Sequence, residues 1–240
     1  MKSVDPRFFK GICHRGYHNS KDTENGLRAF KNALDNDMAL ELDVHLTKDD
    51  ELVVIHDSDT KRVTGKDGII EDMTLAQIKD GYHLLDGESI PTLKEVFDLI
   101  QEQVPIVIEL KVYNRNYKAL AKRLGKELSH VHDKSKYMLI SFDPRALVLF
   151  KGCGFLRQLL VAHDGKHEYV YQFRHLFEGV DLEYTFLEMK KIQRYSKNHI
   201  VNIWTVEKED IVTSSLPYVD TITFQNIDAD FVRDKLKNRK

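Results

Sequence analysis

Short apolar runs alternate with amphipathic stretches along almost the whole chain. Strands are predicted at 12–14, 39–44, 106–111, 136–141, 156–161, 179–183, 200–205 and 220–224, with 179–183 carrying the weakest pattern. Helical patterns fall between most of them, at 24–37, 116–132, 145–152 and 185–197. Thr92, followed three residues later by Glu95, reads as a capping box opening a helix that ends near Gln103. Strands regularly separated by helices predict an α/β fold, a (β/α)8 barrel, over residues 1–240 as one domain.

Two segments break the alternation. Only 46–51 separates the second strand from the run at 52–56, and a parallel crossover needs about a dozen residues. The run is therefore expected to fold back as an antiparallel hairpin. With Asp49-Asp50 as a two-residue turn, Leu46 would pair with Val53 and Asp43 with His56. Residues 57–91 are polar and hold Gly65, Gly68, Gly81 and Gly87. They are expected to form an insertion over the barrel, a lid or specificity segment without an independent core.

The second strand alternates Leu40, Leu42 and Val44 with Glu41 and Asp43. The third alternates Ile106, Ile108 and Leu110 with Glu109 and Lys111. The apolar faces are expected under the helices, which turns the carboxylates into the barrel. Unpaired buried charge costs several kcal/mol, so something must compensate it. Three carboxylates near the C-terminal ends of barrel strands suit a hard divalent cation. The first strand ends in His14-Arg15-Gly16, and a second histidine stands in His56-Asp57.

Charge and composition narrow the classes. Lys+Arg is 36 and Asp+Glu 38, a net charge of −2, without the basic excess of a nucleic-acid binder. A hydrophobic share of 42% with 31% charged residues fits a soluble globular chain. Lys-rich 230–240 reads as a solvated final helix. Cys13 and Cys153 are too few for a disulfide scaffold and are expected to be reduced and buried. Residues 1–7 lack the apolar core of a secretory signal, and no integral membrane segment is evident, so the expected location is cytoplasmic.

Taken in order, these residues resemble the glycerophosphodiester phosphodiesterase family over nearly the whole chain. The matching pieces are His14-Arg15-Gly16, Glu24-Asn25 with Ala29-Phe30, Glu41-Leu42-Asp43-Val44, Thr47 and Val53-Val54-Ile55-His56-Asp57. They continue with Pro91-Thr92-Leu93, Glu109-Leu110-Lys111, Ser141-Phe142 and Trp204-Thr205-Val206. The resemblance implies a TIM barrel with its insertion at 57–91. It implies catalytic roles for His14 and His56, and metal binding by Glu41, Asp43 and Glu109. It implies phosphate contacts from Arg15 and Lys111. Departures fall in turns and at the rim: Thr23 precedes Glu24-Asn25-Gly26 where Pro is usual. Asp49-Asp50 replaces Asp-Gly, Asn36-Asp37 lacks a glycine, and Glu207 stands where Asn is common.

The implied reaction is metal-dependent hydrolysis of a small-molecule glycerophosphodiester to sn-glycerol 3-phosphate and an alcohol. Three carboxylates, a divalent cation, Arg15, Lys111 and a singly charged diester balance to zero. Two imidazoles, with ordinary pKa values of about 6.5, suit general base and general acid at neutral pH, and a bell-shaped pH dependence follows. Which histidine takes which role, and whether water or a substrate hydroxyl attacks first, stays open. Oxygen ligands admit Mg2+, Ca2+ or Mn2+. Trp204 and Phe142 read either as core aromatics or as contacts to the alcohol. His45 shares the face of Asp43, and the remaining histidines read as surface or supporting residues. Two alternatives differ in class or substrate: a lysophospholipase D-like lipid phosphodiesterase, and a silent phosphate-ligand binder on the same barrel. The oligomeric state is not encoded in any of these features.

Overall fold

Residues 4–238 are described by the computed structural model. The chain runs β1 (Ile12–Cys13), α1 (Leu27–Asp35), β2 (Ala39–Leu46), β3 (Leu52–Val54), α2 (Lys61–Thr64), α3 (Leu75–Gly81) and α4 (Leu93–Ile100). It continues with β4 (Ile106–Leu110), α5 (Tyr117–Leu128), β5 (Tyr137–Ser141), α6 (Pro144–Val148), β6 (Leu156–Val161) and β7 (Gly179–Glu183). It ends with α7 (Lys190–Tyr195), β8 (Ile200–Val206), α8 (Glu209–Ser215), β9 (Thr221–Phe224) and α9 (Ala229–Lys237). Two positions of the expected last helix, 239–240, and 1–3 of the opening segment lie outside the described residues.

The parallel strands follow one another in the order β1, β2, β4 to β9, and β9 pairs back onto β1. The (β/α)8 barrel is therefore closed, as the alternation predicts. Strand faces divide as expected. Leu40, Leu42, Val44, Ile106, Ile108 and Leu110 pack outward with helix residues such as Phe30, Val96 and Leu124. Ile12, Ala39, Val107 and Met138 fill the barrel axis with Phe8 of the N-terminal turn. A fully buried side chain of this kind contributes roughly 1.5–3 kcal/mol.

The hairpin register differs from the expected one by a residue. Leu46 pairs with Leu52 and Val44 with Val54, so Asp43 faces Ile55 rather than His56. The cause is a three-residue turn. Thr47 Oγ1 donates to Asp49 at 2.7 Å and accepts the Glu51 amide at 2.9 Å, while Asp50 takes φ +61°. The predicted helix 185–197 also divides, into a 3-10 turn at Tyr184–Glu188 and α7, because Met189 between them is extended. The capping box is present: Thr92 and Glu95 exchange bonds at the start of α4.

Residues 57–91 are less uniformly polar in the fold than in the sequence. They enclose a small cluster of Val63, Ile70, Ile78, Leu84 and Ile90, seated on Val53 and Ile55 of the hairpin. These apolar residues are spaced irregularly among polar ones, so the segment's average polarity hides them. Cys13 is buried as expected, but Cys153 is exposed, in a surface turn between Gly152 and Gly154, both at positive φ. Both thiols are free. No helix among the described residues is long and apolar enough to cross a membrane.

Candidate active site

Parallel pairing sets the carboxylates side by side. Asp43 on β2 stands opposite Glu109 on β4, and Glu41 lies two residues back on the same face. All three are buried, and their ligand oxygens lie within 4.8 Å of one another. Two oxygens bound at about 2.1–2.5 Å to one cation stand at most about 5 Å apart, so the set fits a single divalent ion. Asp43 Oδ1 is buried and accepts no hydrogen bond, which leaves a lone pair for a metal. With no metal, burial and mutual repulsion push Glu41 well above the usual carboxylate range. Burial raises Glu109 to about 7 against the pull of Lys111. Burial acts on Asp43 as well, but Lys111, His56 and Arg15 together with the Asn25 hydrogen bond outweigh it and hold this carboxyl below its ordinary value.

Cations close the site on two sides. Lys111 Nζ lies 3.0 Å from Glu109 Oε1 and 3.5 Å from Asp43 Oδ1. Arg15 takes φ +54°, which turns its backbone amide onto Glu41 Oε2 at 2.9 Å and its guanidinium toward Glu24 Oε1 at 2.7 Å. Gly16 follows at φ +80°, where a Cβ would sit 2.8 Å from the Ala29 backbone. Only glycine accepts both that conformation and that approach.

Each histidine has a fixed tautomer. His14 Nδ1 meets Gln225 Oε1 at 2.6 Å, and the Gln225 amide donates to Glu207, so Nδ1 carries the proton. His56 Nδ1 donates to Asp57 Oδ1 at 2.7 Å. The Nε2 atom of both rings is thereby the one left for proton transfer. Burial, aided by Arg15, lowers His14 to about 3. Burial also lowers His56, with Asp43 working against it.

These groups line one cleft of about 1140 Å³ at the C-terminal mouth of the barrel. His14, Arg15, Glu41, His56, Glu109, Lys111, Phe142 and Trp204 face it, and Asp43 sits behind them. Phe142 and Trp204 meet edge to face at 5.7 Å on one wall, and Trp204 Nε1 donates to the Asp181 carbonyl. Both aromatics therefore line the cleft as well as pack together. Other histidines mostly lie at the surface. His45 is an exception: it is buried, bonds Glu71 at 2.6 Å and donates through Nε2 to the His56 carbonyl at 3.0 Å.

Sequence reasoning gave no role to Asn25, Gln225 or Asp181. Asn25 Nδ2 donates to Asp43 Oδ2 at 2.9 Å from a fully buried position. Asp181 is buried at the cleft floor, and burial raises its carboxyl to about 8. The alternation Val180-Asp181-Leu182-Glu183 repeats that of β2 and was a signal for it. Gln225 gave none, since 211 residues separate it from His14.

Comparison with known proteins agrees with this geometry. The model of the glycerophosphoryl diester phosphodiesterase family matches residues 14–229. A glycerophosphodiester phosphodiesterase of Caldanaerobacter subterraneus is 39% identical over 145 residues, which covers 57% of this chain and 59% of that protein. A human lysophospholipase D is 34% identical over 149 residues, 55% of this chain and 46% of its own. The matched part thus spans less than two thirds of these relatives. The crystal structure of a glycerophosphodiester phosphodiesterase from Parabacteroides distasonis superposes with a TM-score of 0.79 at 25% identity. It covers 99% of this chain and 98% of the other.

Proposed function

Because the chain belongs to the glycerophosphoryl diester phosphodiesterase family, we propose that it hydrolyses glycerophosphodiesters to sn-glycerol 3-phosphate and an alcohol. The observation that carries this reading is the meeting, in one cleft, of a carboxylate triad, two cations and two histidines with matched tautomers. Glu41, Asp43 and Glu109 would hold a divalent cation, Mg2+, Ca2+ or Mn2+, which supplies charge neutralisation at the phosphate. Arg15 and Lys111 contact the other phosphate oxygens and offset the charge that builds there. His14, neutral in its buried setting, accepts through Nε2 the proton of the attacking oxygen, either water itself or a substrate hydroxyl whose cyclic phosphate product water then opens. His56 takes the general-acid role in its protonated form, donating to the departing alkoxide as the phosphorus–oxygen bond breaks; burial lowers its pKa, and Asp43 and Asp57 oppose that shift. Phe142 and Trp204 line the side of the cleft offered to the alcohol.

A second reading has one observation in its favour. Tyr169 and Phe173 line the same cleft as Phe142 and Trp204, and add aromatic surface of the kind an acyl chain packs against. A lysophospholipase D activity would use the same chemistry on a larger substrate.

The test is release of glycerol 3-phosphate from a panel of glycerophosphodiesters, and of acylglycerol 3-phosphate from lysophospholipids, with Mg2+, Ca2+, Mn2+ or excess EDTA. Release from the small diesters is expected to need the metal and to fall roughly 100- to 10,000-fold in His14→Ala. Preference for long-chain substrates would establish the second reading. No turnover by folded, metal-loaded protein would refute both and leave a silent phosphate binder.

A further inference from the structure

Arg62 lies on α2 in the insertion, outside the barrel, with its side chain about half exposed. Its guanidinium makes three bonds to two carboxylates. Nε donates to Asp57 Oδ2 at 2.6 Å, Nη1 to Glu24 Oε2 at 2.9 Å and Nη2 to Glu24 Oε1 at 2.7 Å. Each of those carboxylates spends an oxygen on the reaction machinery. Asp57 Oδ1 takes Nδ1 of His56 at 2.7 Å, and Glu24 Oε1 takes Nη1 of Arg15 at 2.7 Å. A continuous strut therefore runs His56, Asp57, Arg62, Glu24, Arg15.

We infer that Arg62 is a positioning residue for the hydrolysis, fixing the distance between the general acid His56 and the phosphate-binding Arg15. The inference rests on the phosphodiesterase reading above. A lone exposed ion pair would contribute little. This one is a rigid planar fork shared by two partly buried carboxylates, a geometry only arginine supplies. Without it, no described hydrogen bond or ion pair ties Asp57 to Glu24, which sit on separate loops. Both partners stay ionised at working pH. Burial works to raise Glu24, but Arg62 and Arg15 overcome it and hold it at about 2. Asp57 is likewise held low by His56 and Arg62 against burial.

The test compares Arg62→Ala, Arg62→Lys and Lys61→Ala. Lys61 pairs with Asp67 and does not line the cleft, so its variant controls for damage to α2. Kinetics with the diester that wild type turns over best, at saturating metal, are read with melting temperature and NMR of the Arg15 Nε–H signal. Arg62→Ala is expected to lose roughly 10- to 100-fold in kcat/KM, split between a lower kcat through His56 and a higher KM through Arg15. Its melting temperature should stay close to wild type. Millimolar guanidinium should restore part of the rate, and methylammonium should not. Arg62→Lys should stay impaired, because a point charge cannot make the fork. The Arg15 signal should exchange slowly in wild type and Lys61→Ala, and fast in Arg62→Ala.

Unchanged kinetics with an unchanged Arg15 signal in Arg62→Ala would overturn the inference alone. So would a loss of activity that tracks melting temperature and ignores guanidinium. Wild type without phosphodiesterase activity would instead refute the reading beneath it, and the positioning role of Arg62 with it.

Discussion

Asn25 illustrates what a single residue can do without touching substrate. It is buried at φ +58°, a conformation that asparagine tolerates better than most side chains, and its amide holds Asp43 Oδ2. That bond leaves Asp43 Oδ1 without a hydrogen bond, 3.5 Å from Lys111 Nζ. Asn25→Ala is expected to weaken divalent-cation affinity roughly 10- to 100-fold, measured by calorimetric titration of Mn2+. Unchanged affinity would mean that Asn25 serves the loop rather than the metal ligand. Glu41, Asp43, Glu109 and Lys111 were legible from sequence because strand alternation has a fixed period of two. Charges on the inward face of apolar strands contradict burial unless they converge. Asn25, Gln225 and Arg62 were not legible as partners, because their roles exist only across loops far apart in sequence. His45 stood between the two cases: its face was predictable, its bond to the His56 carbonyl was not.

At the scale of elements, the closed parallel barrel follows from the alternation of strand and helix patterns, and α4 begins where its capping box predicts. The hairpin was the least legible element. A one-residue change in turn length shifts every pairing, and the turn is decided by Thr47 Oγ1, which no periodicity reports. Asp50 occupies the left-handed position of that turn, where glycine carries no penalty. Asp50→Gly is therefore expected to stabilise the protein by roughly 0.5–1 kcal/mol with no change in activity, read from urea unfolding. A loss of stability would show that Asp50 makes a compensating contact. The division of 185–197 had no marker, since neither glycine nor proline stands at Met189.

At the scale of the whole molecule, the site and the stability of the barrel are linked through protons. Glu109 sits near pKa 7 in the folded protein without metal, against an ordinary 4.5, through burial with Asp43 repulsion and despite Lys111. A raised carboxyl contributes stability that is complete below its unfolded pKa and fades as pH rises through the folded one. Glu41 acts in the same direction. The penalty in metal-free protein should grow between about pH 4.5 and pH 7 to roughly 3 kcal/mol from Glu109. His14 runs the other way: lowered to about 3, it adds stability above pH 6.5 that fades as pH falls toward 3. The difference in melting temperature between Mg2+-loaded and EDTA-treated protein is thus expected to be larger at pH 8 than at pH 5. A difference independent of pH would argue that the triad does not bind the ion. The insertion is also a matter for this scale. Its cluster was hidden from sequence because Val63, Ile70, Ile78, Leu84 and Ile90 meet only once the hairpin supplies Val53 and Ile55.

The contrast between the two free thiols gives the protein a built-in clock. Cys153, exposed between two glycines, is open to a thiol reagent from the start. Cys13 sits one residue before His14 in a strand paired on both sides, and burial pushes its thiol pKa up. It reacts only when β1 leaves the barrel. Disulfide-exchange labelling should then show one fast phase and one slow phase of equal size, the slow rate reporting the opening of the closed sheet. Any condition that steadies the mouth of the barrel, a bound cation first among them, should lengthen the slow phase and leave the fast one alone.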